Sequence, residues 1–248
     1  MRAERPMNPP GGGSPRGTGG RPGSRPPQLL PAWPRVLAVV AHPDDETFGL
    51  GAVVDGMTAA RAAVHILCYT RGEASTLNEN AADLLQARKE ELRQASAELG
   101  AATVTLLDYP DGRLAAVPPG ELAAHVTELA TRHRPDGLLV FDDTGITGHP
   151  DHQAATAAAV LAGRAVGLPV LAWTLPAAVA ARLQAETGQA FTGQPADQTD
   201  FCVRVDRTRQ RRAALLHASQ ISPAAVLWRR LQLQGDREHL RWLVPPRG

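Results

Sequence analysis

Cysteine is almost absent, since the 248 residues hold only Cys68 and Cys202. Two cysteines cannot build a disulfide framework, so a reducing compartment and a cytoplasmic location are the expectation. Net charge is almost absent as well, with 26 basic side chains against 25 acidic ones for a formal +1. That balance gives no field for gathering nucleic acid or anionic membrane, and neither is expected as a partner. Long apolar runs are missing, and the longest early one, Val36 to Ala41, falls far short of a membrane span or a secretory signal. Lysine occurs once, at Lys89, a compositional habit without mechanistic meaning.

What is present suits a globular protein: 43% hydrophobic and 21% charged residues exclude a collagenous, coiled-coil or wholly disordered chain. Residues 1–31 differ from the rest. They carry eight prolines and seven glycines, and five arginines against Glu4, so this stretch is +4 and the remaining 217 residues are −3. With so few apolar anchors it cannot offset the entropy of ordering, and it is expected to be a disordered tail before one domain at 32–248.

Short apolar runs at Val36–Ala41, Val64–Thr70, Thr103–Leu107, Leu138–Phe141 and Val170–Thr174 read as strands buried on both faces. Helical spacing separates them at Asn78–Leu99, stopped by Gly100, and at Glu121–Arg132 and Gln153–Ala165. Phe201–Val205 and Thr208–Ser219 add a closing strand and helix. The alternation predicts the α/β class, a mostly parallel, doubly wound sheet flanked by helices, with ligands beyond the carboxyl ends of the strands.

The first strand runs straight into His42-Pro43-Asp44-Asp45-Glu46. Alone, this junction has a purely structural reading, an aspartate capping a helix and a histidine hydrogen-bonded at a hinge. A second such junction, Gly148-His149-Pro150-Asp151-His152, follows the strand ending at Phe141 and opens another helix. If the two strands are neighbours, His42, Asp45 and His152 converge. Two imidazoles and a carboxylate with a vacant fourth position make a catalytic zinc set, and ferrous or another divalent ion suits the same donors. Such an ion lowers the pKa of water to about 7, so that a nearby carboxylate can take its proton during attack on a carbonyl. Spacing does not say which of Asp44 and Asp45 does which job. His149 is available to the oxyanion and the leaving amine, with Asp151 placed to fix its tautomer.

These two junctions resemble those of the LmbE-like (PIG-L) zinc N-deacetylases, which remove acetyl groups from N-acetylglucosaminyl compounds on a Rossmann-like fold. Further matching segments are Thr70-Arg-Gly-Glu73, Arg88-Lys-Glu-Glu-Leu92 with Leu99-Gly100, Pro110-Asp-Gly112 and His217-Ala-Ser-Gln220, so the likeness covers roughly residues 36–220. The resemblance implies one zinc per chain on His42, Asp45 and His152, with Asp44 as general base. It also implies His149 as electrostatic partner and proton donor, oriented by Asp151. Arg88, a charge between Leu85 and Leu92 on an apolar helix face, is by resemblance a holder of sugar hydroxyls together with Asp111; an internal ion pair is the alternative. Mycothiol-pathway relatives carry a tyrosine where this chain has Thr147, which shifts oxyanion stabilisation toward zinc and His149.

The expected activity is therefore hydrolysis of an N-acetylated sugar or sugar conjugate. Its rivals are a metal-dependent amidase on a thiol conjugate or acylated antibiotic intermediate, and a metal- or sugar-binding module without turnover. A homo-oligomer is compatible with the sequence. Gly49-Leu-Gly51 lacks the third glycine of a dinucleotide fingerprint, Val54 standing in its place. His65 and Cys68 are expected in the core, and His125, His133 and His239 in solvent. Leu227–Trp242 is expected to be amphipathic, with its arginines on a solvated face.

Overall fold

The computed structural model describes residues 1, 29–74, 81–222 and 225–247. Residues 2–28 of the expected tail lie outside the described residues, while Leu30 near its end packs against Gly56 and the core.

The strands are β1 (Arg35–Val40), β2 (Ala63–Thr70), β3 (Thr103–Tyr109), β4 (Gly137–Phe141), β5 (Val170–Thr174), β6 (Phe201–Arg204) and β7 (Arg237–Val244). They form one sheet in the order β3-β2-β1-β4-β5-β7-β6. β1 to β5 pair in parallel, and β7 is antiparallel to both β5 and β6. The helices are α1 (Asp45–Phe48), α2 (Gly51–Ala59), α3 (Ala81–Glu98), α4 (Pro119–His133), α5 (Gly145–Gly148), α6 (Pro150–Val166), α7 (Ala177–Thr187), α8 (Thr208–Leu215) and α9 (Val226–Gln234).

The continuous apolar run of β1 has its cause in the two layers around it. Val36, Ala38 and Val40 pack with α2, α3 and α8, while Leu37 and Val39 pack with α4 and α6. Alternate side chains thus enter two separate cores, so no position is left for a polar residue. α3 ends where expected, because Gly100 takes a φ of 80° that lets the chain turn back under the last carbonyls. The expected start of this helix at Asn78 falls partly outside the described residues.

Two expectations are corrected. Leu227–Trp242 is not one amphipathic surface segment, since it breaks at Gly235 into α9 and β7. Leu227, Arg230, Leu231 and Gln234 are buried at helical spacing, whereas Glu238 and Leu240 alternate into the interior of an inner strand. Among the histidines, His65 is half-buried, bonding Thr103 at 2.8 Å and stacking on His133 at 3.7 Å. His125 bonds Tyr109, and His239 sits half-buried on β7, so neither is simply solvated.

The strand order reverses between β1 and β4, which pair directly from Val36↔Gly137 to Ala38↔Leu139. β2 and β3 lie to one side of this pair and β5 to the other. A crevice opens at the carboxyl ends of such a pair because successive connections leave in opposite directions. Both His-Pro-Asp junctions leave from those ends. Among the described residues no helix is long and apolar enough to cross a membrane.

Candidate metal and catalytic site

Asp45 is pinned at the exit of β1, where its Oδ2 accepts the backbone N–H of Ala41 at 3.1 Å and of His42 at 2.9 Å. Its Oδ1 faces His152 Nε2 at 3.1 Å. His152 reaches it from the first turns of α6, with its Nδ1 3.2 Å from the Gly145 carbonyl. A carbonyl only accepts, so Nδ1 carries the proton and Nε2 offers its lone pair. His42 is placed by the same logic in the opposite sense. Its Nε2 lies 3.0 Å from Asp111 and 3.3 Å from Asp151, leaving Nδ1 to face His152 Nε2 at 3.3 Å.

The ligand atoms of His42, Asp45 and His152 all lie within 4.8 Å of one another. Two imidazole nitrogens and a carboxylate oxygen converging on one point make a donor set that suits a divalent cation. The surroundings favour a cation too. Burial opposes charge on His42, yet Asp111, Asp151 and Asp45 outweigh it and push its pKa up to about 10. The donor set therefore fits a divalent metal.

Asp44 stands apart from these donors. Its backbone has a φ of 110°, a region costly for a residue with a Cβ, by about 1–3 kcal/mol. Glu46 Oε2 holds its N–H at 2.9 Å, and its carbonyl accepts from Thr47 and Phe48. Glu46 is in turn held by His217 Nε2 at 2.6 Å, both residues being fully buried. Burial lowers the His217 pKa and Glu46 more than restores it, so the net shift is upward. Burial also pushes the Asp44 carboxyl up, against Arg88, with Asp45 adding to the rise.

Arg88 is 3% exposed and spans the site from α3. Its Nη1 bonds the Gly72 carbonyl at 2.6 Å, while Nη2 bonds the Pro43 carbonyl at 2.5 Å and Asp44 Oδ2 at 3.1 Å. The fork that the resemblance turns toward a sugar is committed here to the Asp44 carboxylate and two carbonyls. Gly72 is what admits it, having a φ of 69° and room for no Cβ, which would lie 2.3 Å from Arg88 Cζ. Gly72→Ala is expected to displace the guanidinium, costing about 1–3 kcal/mol of stability from backbone strain and the disturbed ion pair. Calorimetric unfolding and turnover of the folded fraction check this, and unchanged values for both would contradict the placement of Arg88.

His149 caps α6, since its Nδ1 accepts the Asp151 backbone N–H at 3.2 Å and so its Nε2 bears the proton. Its ring lies 4.8 Å from those of both His42 and His152. Burial, reinforced by those two histidines, lowers its pKa. The resemblance makes Asp151 the residue that orients His149; the hydrogen bond between them runs from the Asp151 amide, not its carboxylate. The carboxylate instead accepts from Gly112 at 2.7 Å and Leu114 at 3.0 Å, gripping the turn that carries Asp111, besides facing His42. A side chain at the second position of a helix points back past the helix start, which brings the carboxylate to the Asp111 turn and to His42 while it stays within 4.8 Å of His149. Glu73 steadies the same turn, with Oε1 accepting Asp111 N at 2.8 Å.

His42, Asp44, Asp45, Arg88, Asp111, His149 and His152 line a cavity of about 480 Å³ that also reaches Thr147. The same cavity is lined by Phe48, Phe141, Trp173, Phe191, Leu227 and Arg230, with Phe141 against His152. Sequence reasoning assigned no role to the Glu46–His217 pair, the aromatic wall or Arg230. Arg230 carried a usable signal, because it falls between Leu227 and Leu231 as Arg88 falls between Leu85 and Leu92.

Sheet and site together define a Rossmann-like α/β protein with a metal-type donor set where the strand order reverses. Residues 37–162 match the family described as PIG-L: GlcNAc-PI de-N-acetylase, and the chain belongs to that family. It is 32% identical over 125 residues to a probable N-acetylglucosaminyl-phosphatidylinositol de-N-acetylase of Schizosaccharomyces pombe, covering 48% of each chain. Over 165 residues it is 33% identical to a 1D-myo-inositol 2-acetamido-2-deoxy-alpha-D-glucopyranoside deacetylase of Kineococcus radiotolerans, covering 52% of this chain and 45% of that one. The chain thus spans about half the length of these curated relatives. Its fold is also that of the N,N'-diacetylchitobiose deacetylase of Pyrococcus horikoshii, with a TM-score of 0.65 at 19% identity over 86% of this chain and 84% of the other.

Proposed function

We propose that the protein is a zinc-dependent N-deacetylase that hydrolyses the acetamide of an N-acetylglucosamine-type small molecule, releasing acetate and a free amine. The observation that carries this reading is a carboxylate outside the donor set but beside it: Asp44, half-buried, strained and held by Arg88 and Glu46. His42, Asp45 and His152 would hold the metal, which when bound supplies a Lewis acid for the amide carbonyl and lowers the pKa of water. Asp44 takes a proton from the attacking water, and the Arg88 ion pair keeps its carboxylate aimed at the cavity. His149 presents Nε2–H to the oxygen on which negative charge develops, acting as a neutral donor because Nδ1 is occupied. As the C–N bond breaks, the amine needs one proton, which Asp44 now carries and His149 Nε2–H lies ready to relay. Asp111 is fixed by His42, Glu73 and Ala74 at the cavity rim, where its carboxylate meets sugar hydroxyls.

The apolar wall favours one second reading, an amidase acting on a bulkier amide such as a thiol conjugate or an acylated antibiotic intermediate. A pure binding module has no use for Asp44 in a strained backbone. Amine release from a panel of N-acetylated sugars and conjugates, with metal-free and zinc-reconstituted protein, tests the proposal. Zinc-dependent release from N-acetylglucosamine compounds is expected. No release from any of them by the zinc-loaded protein would overturn it.

A further inference from the structure

Arg230 is 6% exposed, yet among the described residues its guanidinium is in no ion pair. One Nη bonds the Phe48 carbonyl, and the guanidinium lies over the Trp173 ring at 4.7 Å. The acid that attracts it, Glu238, is fully engaged elsewhere. Its Oε1 takes Arg207 at 2.5 Å, and its Oε2 takes Trp173 Nε1 at 2.7 Å and Gln234 at 2.9 Å. Burial pulls the Arg230 pKa down to about 10, Glu238 opposing and Arg207 adding to the fall, so the group remains a cation at neutral pH. A cation taken out of water without a counter-ion is unfavourable, and the planar fork of an arginine stacked on an indole suits an oxyanion, whether carboxylate or phosphate.

The path from the donor set to this cation is aromatic. The His152 ring contacts Phe141 at 4.8 Å, Phe141 contacts Trp173 at 5.2 Å, and Trp173 carries Arg230, all on the wall of one cavity. A ligand with its amide at the histidines therefore crosses an apolar stretch before it meets positive charge. We propose that Arg230 binds an oxyanion, carboxylate or phosphate, which the substrate carries on an apolar or aromatic spacer away from its scissile amide. This rests on the deacetylase reading above only for where the amide lies, and it narrows the substrate to an anionic, partly apolar amide.

Matched probes test it. On the sugar side, phenyl N-acetyl-β-D-glucosaminide is compared with its 4-carboxyphenyl and 4-phosphonophenyl counterparts. On the acyl side, N-hexanoylglucosamine is compared with N-adipoylglucosamine. Dissociation constants are measured by calorimetry on zinc-loaded Asp44→Asn protein, and kcat/KM on the native enzyme. In one arm the anionic probe is expected to bind about tenfold more tightly or better, the size of one charge-assisted hydrogen-bond pair, and the advantage should shrink with added salt. Arg230→Gln should weaken the anionic probe more than its neutral counterpart and so erase that advantage, while Arg230→Lys keeps part of it. The salt dependence is read on the unsubstituted Arg230, so the test survives a variant that fails to fold. No anion preference in either arm, or equal weakening of charged and neutral probes by Arg230→Gln, would overturn the proposal. Anion-selective binding without hydrolysis removes the deacetylase reading and supports the anion site; hydrolysis without anion preference does the reverse.

Discussion

Replacing Asp44 by Asn is expected to leave zinc bound and to cut turnover by about 10²–10⁴-fold, the effect of a missing general base. The amide keeps the volume of the carboxylate and can still accept from Arg88, so the strained turn between β1 and α1 should persist. What it loses is the capacity to take a proton. Asp45→Asn should fail in the opposite order. Asp45 uses both oxygens as acceptors, Oδ2 from two backbone N–H groups and Oδ1 against His152 Nε2. An amide has one acceptor oxygen, so either the backbone pair or the histidine confronts an NH2. Metal affinity should fall first, with activity partly returning in excess zinc. Metal content per chain and kcat for the two variants separate the roles, and native turnover by Asp44→Asn would show that the base is another group.

The His42→Ala, His152→Ala double variant is expected to fall from about one metal per chain to none. A single carboxylate cannot hold a zinc ion against water, whereas two imidazoles and a carboxylate can. The loss should also appear as stability. A metal that binds only the folded chain adds RT ln(1 + [L]/Kd), about 2.7 kcal/mol at a hundredfold excess over Kd. The native protein's melting temperature should therefore rise with zinc, and that of the double variant should not. Full stoichiometry in the double variant would mean that the metal sits elsewhere, the second donor group of His42, His149 and Asp151 being weakened by the same change.

Much of the fold and part of the site are legible in the sequence. The five parallel strands announced themselves as apolar runs because helices cover both faces of the sheet, and Gly100 marked the end of α3. The pairing of His42 and Asp45 with His152 was legible as a condition, that two His-Pro-Asp junctions lie on adjacent strands. The β1–β4 ladder meets that condition. Legibility failed where a residue's partner is remote. Arg88 on an apolar face demanded a partner, but that the partner would be Asp44, 44 residues away, depended on how α3 crosses the end of β1. Asp151 sits beside His149 in sequence, yet its carboxylate turns to Gly112 and Leu114 because α6 directs it backward.

The sequence by itself determined the class of sheet, the two loops that carry the chemistry and the residue types gathered there. Each of these is written in local periodicity or in a short motif, and burial on two faces leaves a one-dimensional trace. Only the tertiary structure decided that Glu46 meets His217 across 171 residues, that β7 slips between β5 and β6, and that Arg230 lies over Trp173 with no ion pair among the described residues. Those outcomes turn on which of several similar acids, rings and carbonyls come within hydrogen-bond reach. Chain crossings separated by many residues set that proximity, and no local pattern records it.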